Sequence, residues 1–289
     1  MAGLLIFGLA KSMELALVAI GFSFVFGISG IANFAYGAFY LLGGFLAYIL
    51  LNSLGLPYWM SAVGSILMLF VIGALMYRFA VQRIRGAILS EVIVTMGLGI
   101  FITEMLRASG FIGHNRYLPA FIPGYVEIAG IGIENQRLMI ILIGMLLFLI
   151  LWAVTRYTRI GLAFRAMSQD ELTALSIGLN NNYLALLSMG IGAVLAVIAA
   201  LCIIPQGFLT VDGAYDVLIY ALAVGVLGGL GSTTGIIIGA FIIGYAQTAT
   251  ATLFSSQWVM VVTFLAIVLV LFIKPSGIFG KQKELEEKV

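Results

Sequence analysis

Charge is scarce in this sequence. Only 9% of its 289 residues are Asp, Glu, Lys or Arg, whereas about a quarter are charged in an average soluble domain. Hydrophobic residues make up 63%, and the mean hydropathy is +1.18. Such a chain lacks the charges that cover a water-facing surface, which excludes a soluble globular protein. The composition predicts an all-α protein that crosses a membrane several times.

Residues that carry several kinds of chemistry are also rare. Cys202 is the single cysteine and His114 the single histidine, which excludes an intramolecular disulfide and a cluster of soft metal ligands. The net charge of +2 is too small to predict nucleic-acid binding. The glycines before Lys11 do not have the spacing of a phosphate-binding loop. We therefore expect no catalytic site, no metal and no cofactor in this chain.

Apolar blocks follow one another along the chain. They predict eight or nine transmembrane helices, depending on whether the glycine-rich segments cross the membrane or re-enter it. A polar connection at 110–137 contains a predicted β-hairpin at 125–134. We interpret residues 1–289 as a single transmembrane domain. The clearest blocks cover 13–28, 38–54, 58–77, 90–108, 138–154, 183–204 and 258–273.

Glycines interrupt the first apolar region at 27–37, where Asn33 and Tyr36 are the polar side chains. Irregular backbone at membrane depth is tolerated only where protein or a water-filled cavity covers it. The segment is therefore either part of a solute pathway that Asn33 and Tyr36 line, or an interfacial turn between two helices. Thr95 and Gly97 lie deep in a later block and are further candidates for a pathway or a packing face.

Acidic residues near membrane depth are candidate sites, because a charge in the bilayer is costly unless it is paired or reaches the headgroups. Glu91 and Glu104 lie near the two ends of the 90–108 block, and we interpret both as structural. Glu104 is predicted to pair with Arg107 on the next turn. Asp212 and Asp216 follow in a second polar interruption at 206–216.

A third feature is the spacing of the glycines after residue 225. Gly231, Gly235 and Gly239 repeat every fourth position, which predicts a flat helix face where another backbone approaches closely. The same glycines are also compatible with a break in a discontinuous helix.

The longest polar passage between two apolar blocks covers 156–182. Ser168 and Glu171 have the spacing of a capping box, and Gly178 predicts a left-handed stop, so a short helix is expected between them. Leu172 and Leu175 recur at helical spacing with Leu179 and give that helix an apolar side. A helix of about two turns is too short to be stable alone, so it packs either on its own protein or on a partner.

The cations predict the orientation. Three segments hold most of them: the loop 78–85, the passage 156–182 and the tail 274–289. The positive-inside rule places these segments, and with them the C-terminus, in the cytoplasm and the His114 loop outside. Ten of the 14 Lys and Arg residues belong to this side: Arg78, Arg83, Arg85, Arg156, Arg159, Arg165, Lys274, Lys281, Lys283 and Lys288.

Four stretches resemble, in the same order, the permease subunits of bacterial branched-chain amino acid ABC importers. They are GISGIANFAYGAFYLLGG (27–44), TRIGLAFRAMSQDELTALSIGLN (158–180), VLGGLGSTTGIIIGAFIIG (226–244) and KPSGIFG (274–280). The sequence departs from the family pattern where Leu172-Thr173-Ala174 replaces Glu-Ala-Ala and where Tyr36 replaces His.

The resemblance implies a permease fold in the bacterial cytoplasmic membrane and a role for 158–180 as the coupling loop. Implied partners are two cytoplasmic ATPases that use ATP and Mg²⁺, a second permease subunit that is a paralogue or a second copy, an extracytoplasmic solute-binding protein and membrane lipid. Leucine, isoleucine and valine are the implied substrates, with other amino acids, amides or urea in related proteins. The implied coupling residues are Arg159, Gly161, Arg165, Ser168, Asp170, Glu171, Leu172, Leu175 and Gly178.

Two other classes of transport protein stay open from the residues alone. A secondary transporter would couple to an ion gradient through a carboxylate such as Glu91 or Asp216. A passive channel would need neither ATP nor an ion gradient.

Overall fold

The computed structural model describes residues 2–111, 118–128, 130–207 and 210–280. The predicted outward loop around His114 and the charged tail beyond residue 280 lie outside the described residues. The α-helices in the described part are α1 Ala2–Ser29, α2 Tyr36–Asn52, α3 Tyr58–Phe79, α4 Ile88–Leu106, α5 Asn135–Tyr157, α6 Arg159–Gln169, α7 Glu171–Ser176, α8 Asn181–Ile203, α9 Asp212–Gly228, α10 Thr233–Leu253 and α11 Val259–Ile273.

Within the described residues, seven helical segments are long and apolar enough to cross a membrane. These segments contain α1, α3, α4, α5, α8, α10 and α11. Helices α2 and α9 are shorter, with 17 residues each. This architecture confirms the predicted all-α polytopic membrane protein. The predicted hairpin is also confirmed, because β1 Tyr125–Ile128 pairs antiparallel with β2 Ile131–Glu134.

Helices α1 and α8 form the centre of the bundle, and more than half of the apolar span of each is buried. Small side chains such as Ala193 and Ala196 allow α8 to approach its neighbours closely. Helices α3, α4, α5 and α11 surround this centre and leave many large apolar side chains exposed, for example Leu67 and Phe264. An apolar outer surface of this kind is typical of helices that face lipid.

The bundle has two polar ends. We call the end with residues 158–180 the loop end; it also holds Arg85, which contacts Glu171, and the segment 274–280, which bonds to the last turn of α9. We call the other end, with β1 and β2, the hairpin end. There α1 starts beside the hairpin, because the position of a Cβ on Gly3 lies 3.5 Å from the Ile131 side chain.

Two backbone breaks meet at the loop end. The first lies between α1 and α2, and the second lies between α9 and α10. A Cβ on Gly27 would lie 2.8 Å from the Gly231 Cα atom, and the Gly231 backbone N–H donates to the Ser23 hydroxyl over 3.1 Å. The chains at these breaks are therefore in direct backbone contact.

The predicted glycine face is correct in part. Gly235 and Gly239 lie on α10 and pack against the last turns of α9, where a Cβ on Gly239 would lie 2.9 Å from the Val224 carbonyl oxygen. Gly231 is not on this helix: it lies in the break, with φ at +84°, a conformation that favours glycine. The alternative of a discontinuous helix is therefore confirmed for this segment.

Candidate functional site

The coupling loop folds as two short helices, α6 and α7, between α5 and α8. The Thr158 side chain caps α6 by accepting the Gly161 N–H over 3.0 Å. Gly161 lets α6 turn back tightly, because a Cβ there would overlap the backbone of Val154 and Thr155 on α5. The short helix predicted between Ser168 and Gly178 is confirmed as α7, whereas α6 is a second helix that the sequence analysis did not predict.

The predicted capping box is also wrong. Ser168 lies inside α6, where its hydroxyl donates to the Arg165 carbonyl oxygen over 2.9 Å. Asp170 separates the two helices and caps α7: its carboxylate accepts the Leu172 N–H over 2.9 Å and the Thr173 hydroxyl. Asp170 has extended backbone, as an N-cap requires, whereas the residue at 168 is helical. The predicted stop at Gly178 is confirmed, with φ at +87°.

Glu171 faces the protein and anchors α7. Its carboxylate lies 2.7 Å from Arg85, which comes from the connection between α3 and α4. The backbone carbonyl of Glu171 also accepts from the Asn181 side chain over 2.7 Å. Arg85 donates further to the Tyr77 hydroxyl and to the Asn182 side chain. This network ties α7 to α3 and to the start of α8, and sequence reasoning missed Arg85 because only tertiary contact pairs it with Glu171.

The opposite side of α7 is apolar and exposed. Leu172 and Leu175 have 65% and 57% of their surface exposed, and Ile177 has 70%. In α7 itself, Ala174 is the buried residue. Leu172 and Leu175 of the predicted apolar face are therefore available to a partner. Leu179, the third residue of that face, is partly buried against the cluster that contains Phe164 and Leu184.

Helix α6 lies between the coupling surface and the membrane bundle. Phe164 and Met167 are buried beneath it, and the Phe164 ring meets the Phe24 ring of α1 edge to face at 5.8 Å. Arg165 lines a cavity of about 210 Å³ that also touches both backbone breaks, whereas Arg159 at the start of α6 is exposed. Helix α6 therefore packs directly against the last turns of α1.

The break after α1 is a packing seam in this conformation. Asn33 is 1% exposed, donates to the Met189 sulfur over 3.2 Å and accepts the Ala35 N–H over 3.0 Å. Tyr36 is fully buried, with its ring edge to face with Phe22. The Thr95 hydroxyl accepts the Phe34 N–H over 3.2 Å.

These contacts satisfy backbone groups that the break leaves without helical partners. Of the four predicted pathway residues, Asn33, Tyr36 and Thr95 are therefore brought together, while Gly97 faces outward on α4 with open space around it.

Helix α8 connects the coupling loop to this break. Its first turn carries Asn181 and Asn182, which hold α7 and Arg85, and two turns later it carries Met189, which contacts Asn33. The first two to three turns of α8 therefore contact both α7 and the break between α1 and α2.

The two acids of α4 have structural contacts, as predicted. Glu91 accepts the Gly86 N–H over 2.8 Å at the start of the helix, and Glu104 lies 3.2 Å from Arg107. Glu91 also lines a cavity of about 760 Å³ beneath α7, which Arg85 and Glu171 share.

The fold is similar to that of a solved structure, PsaBC from Streptococcus pneumoniae in complex with Fab. The TM-score is 0.53 over 94% of this chain and 92% of that chain, and 15% of the residues are identical. At this identity the likeness concerns the fold alone.

Sequence comparison gives a closer relationship. The chain is 32% identical to the high-affinity branched-chain amino acid transport system permease protein BraD of Pseudomonas aeruginosa, over 96% of this chain and 95% of that protein. It is 28% identical to the Escherichia coli protein LivH of the same description, over 95% and 94%. A second E. coli permease protein, LivM, is 27% identical over 80% of this chain and 60% of its own length.

The family described as the branched-chain amino acid transport system permease component matches residues 4–271. This match covers nearly the whole helical bundle, including the coupling loop and both breaks. The chain therefore belongs to the family of branched-chain amino acid transport permease components.

Proposed function

We propose that this chain is the membrane-spanning subunit of an ATP-driven importer of branched-chain amino acids, and that α7 docks the ATPase. One observation carries the coupling role: α7 is anchored on one side by Glu171 and Arg85 and presents Leu172, Leu175 and Ile177 on the other. An anchored helix with an exposed apolar side fits a hydrophobic groove on a partner.

The implied subunits follow from this role. Two cytoplasmic ATPases bind and hydrolyse ATP with Mg²⁺, a second permease subunit completes the pathway, and an extracytoplasmic solute-binding protein delivers the substrate. Support for a paralogous second subunit is that E. coli has two permease proteins of this description, both similar to this chain. The apolar outer helices contact membrane lipid.

The loop end faces the cytoplasm in this proposal. Described cations collect there, among them Arg78, Arg85 and Lys274, and the positive-inside rule assigns such an end to the cytoplasmic side. The C-terminus, which follows residues 274–280 at this end, is then cytoplasmic, and the hairpin end faces outward.

The pathway role of Asn33, Tyr36, Thr95 and Gly97 belongs to the same proposal. Asn33, Tyr36 and Thr95 close the bundle at the break between α1 and α2, so the pathway is occluded at this level in this conformation. Movement of α8 relative to α1 opens the seam during the ATPase cycle.

The test uses Leu172→Asp and Leu175→Asp in the complex reconstituted into proteoliposomes. A carboxylate in a desolvated groove is costly, so both variants should lose ATPase association and at least 90% of ATP-dependent leucine uptake, roughly the tenfold effect of 1.4 kcal/mol. Leu54→Asp is the matched control, because Leu54 is 64% exposed at the hairpin end. It should keep ATPase association.

Normal co-purification with the ATPases and full uptake in both α7 variants would contradict the docking role. Uptake that follows an ion gradient and ignores ATP would instead favour a secondary transporter.

A further inference from the structure

A recess at the hairpin end holds charged and polar residues that the coupling role does not use. Its volume is about 280 Å³, and it lies between α1, α2, α9 and the connection after α8. Glu14 and Asp216 line it together with Tyr40 and Tyr220. Lys11 lies beside it, 2.7 Å from the Glu14 carboxylate and 6.0 Å from the centre of the Tyr220 ring.

The recess reaches membrane depth. The 28 residues of α1 are about 42 Å long, and Glu14 lies near the middle of this length. The 17 residues of α9 are only about 25 Å long, although α9 and α1 both end at the loop end. The start of α9 therefore lies at the level of Glu14, and Asp216 on its second turn is exposed at this depth.

Charged side chains at this depth make membrane insertion less favourable, and helix packing gives no reason for their presence. An ionised side chain at the centre of a spanning helix costs about 2.5–3.5 kcal/mol for insertion. Glu14 and Asp216 line the recess and Lys11 lies beside it, so one of the two negative charges is not balanced by a positive charge there. Such groups typically line substrate or ion pathways.

An unpaired hydrogen-bond donor also lies beside this space. Gln206 lines the recess, and its side-chain nitrogen is buried without a hydrogen-bond partner among the described residues. A buried donor without a partner costs about 1–3 kcal/mol, so it favours a ligand that accepts its hydrogen bond.

Most of the remaining wall is aliphatic, beside Gly207, Thr210 and Gly213. The aliphatic side chains come from α1, from the end of α8 with the turn after it, and from α9. The residues are Leu15, Val18, Ile203, Ile204 and Val217.

We propose that this recess binds the transported amino acid as a zwitterion; the proposal rests on the proposed function. The ammonium group of the ligand binds Asp216 and Glu14, the carboxylate accepts from the Gln206 amide and lies near Lys11, and the branched side chain packs on Val18 and Val217. The unbalanced negative charge, the unpaired donor and the aliphatic wall thus each have a counterpart in the ligand.

The experiment measures two quantities for tritiated leucine: equilibrium binding to the purified permease in nanodiscs, and the KM of ATP-dependent uptake by the reconstituted complex. Asp216→Asn and Glu14→Gln should each weaken binding and raise KM at least tenfold. Asp212→Asn is the matched control, because Asp212 is on the same helix, carries the same charge and does not line the recess. Its KM should stay within twofold of the parent.

A second variant tests the aliphatic wall without changing charge. Val18→Phe fills the apolar part of the recess, so it should weaken leucine binding more than alanine binding. This outcome also separates a binding defect from misfolding, because a misfolded permease loses both ligands equally.

The two proposals fail differently. If the parent complex transports leucine but Asp216→Asn, Glu14→Gln and Val18→Phe keep the parent KM, the recess is not the binding site and the transport function stands. If the parent shows no ATP-dependent leucine uptake while the nanodisc permease still binds an amino acid through Asp216, the proposed function fails and the site stands.

Discussion

Asp170 controls the local order of the docking helix. Its carboxylate accepts the Leu172 N–H in the first turn of α7 and the Thr173 hydroxyl, while the carboxylate of its neighbour Glu171 contacts Arg85. The two adjacent carboxylates therefore have different structural tasks, one within the loop and one between the loop and the bundle. An exposed apolar surface on a helix of six residues depends on both contacts, because so short a helix is not stable alone.

Removing the cap should loosen α7 locally. Asp170→Ala is expected to cost about 1 kcal/mol, which corresponds to about fivefold faster amide exchange in the peptide 171–176. Ser168→Ala is the matched control, because the Ser168 hydroxyl bonds only within α6. Hydrogen exchange measured by mass spectrometry distinguishes the two variants. Faster exchange in Ser168→Ala, with Asp170→Ala unchanged, would restore the capping box that the structure contradicts.

Glycines allow the two helices of the discontinuous pair, α9 and α10, to pack closely against each other. The two helices approach so closely that a Cβ on Gly235 would overlap the Gly228 backbone. The segment 274–280 then covers the end of α9, where the Ile278 and Phe279 N–H groups donate to the Leu227 and Gly228 carbonyls, each over 2.9 Å. Helix α9, the break, α10 and the closing segment 274–280 thus form a single packed unit at the loop end of this chain.

Bulk in this seam should destabilise the bundle. Gly235→Leu is expected to cost about 1–3 kcal/mol by overpacking and to lower the melting temperature of the purified permease. Gly97→Leu is the control, because nothing lies within 4 Å of a Cβ at that position. Gly97→Leu should have the melting temperature of the parent. If Gly97→Leu keeps this melting temperature but loses uptake, the result would support the pathway role of Gly97. Parent-like melting of Gly235→Leu would show that the seam accepts side chains.

The whole molecule separates its polar functions between two ends. Arg85, Arg165 and the exposed side of α7 belong to the loop end, and the recess with Glu14 and Asp216 opens beside the connection after α8 at the hairpin end. The buried seam at Asn33 and Tyr36 belongs to the break between α1 and α2, on the loop side of the recess. Under the proposed function, solute that enters through the recess passes this closed seam before it leaves at the loop end, as alternating access requires.

Single cysteines test the orientation that the function needs. In a chain with Cys202→Ser, expressed without the ATPase subunits so that α7 is not covered, Leu175→Cys should react with a membrane-impermeant maleimide only after the cells are opened. Leu54→Cys should react in intact cells. Both side chains are more than half exposed, so accessibility from the correct side is the only requirement. The reverse pattern would place the coupling loop outside and would exclude docking of cytoplasmic ATPases.

Much of the architecture was readable from the residues because the bilayer constrains it strongly. In lipid each backbone group has to be bonded within its own segment, so apolar blocks of sufficient length predict helices with few alternatives. The same applies to glycine breaks, to the hairpin at 125–134 and to the stop at Gly178, since each depends on local backbone preferences. The family resemblance rested on motifs of this local kind.

The polar contacts followed a different rule. No local pattern predicts that Arg85 contacts Glu171, that Asn33 contacts Met189 or that Glu14 and Asp216 line one recess, because the residues of each pair are far apart in the chain. Tertiary packing decided these arrangements. It also decided which of two adjacent carboxylates caps α7 and that Asn33, Tyr36 and Thr95 are buried. The reason is physical: a helix in a membrane forms from its own sequence, whereas the partner of a polar side chain depends on which helices lie beside it.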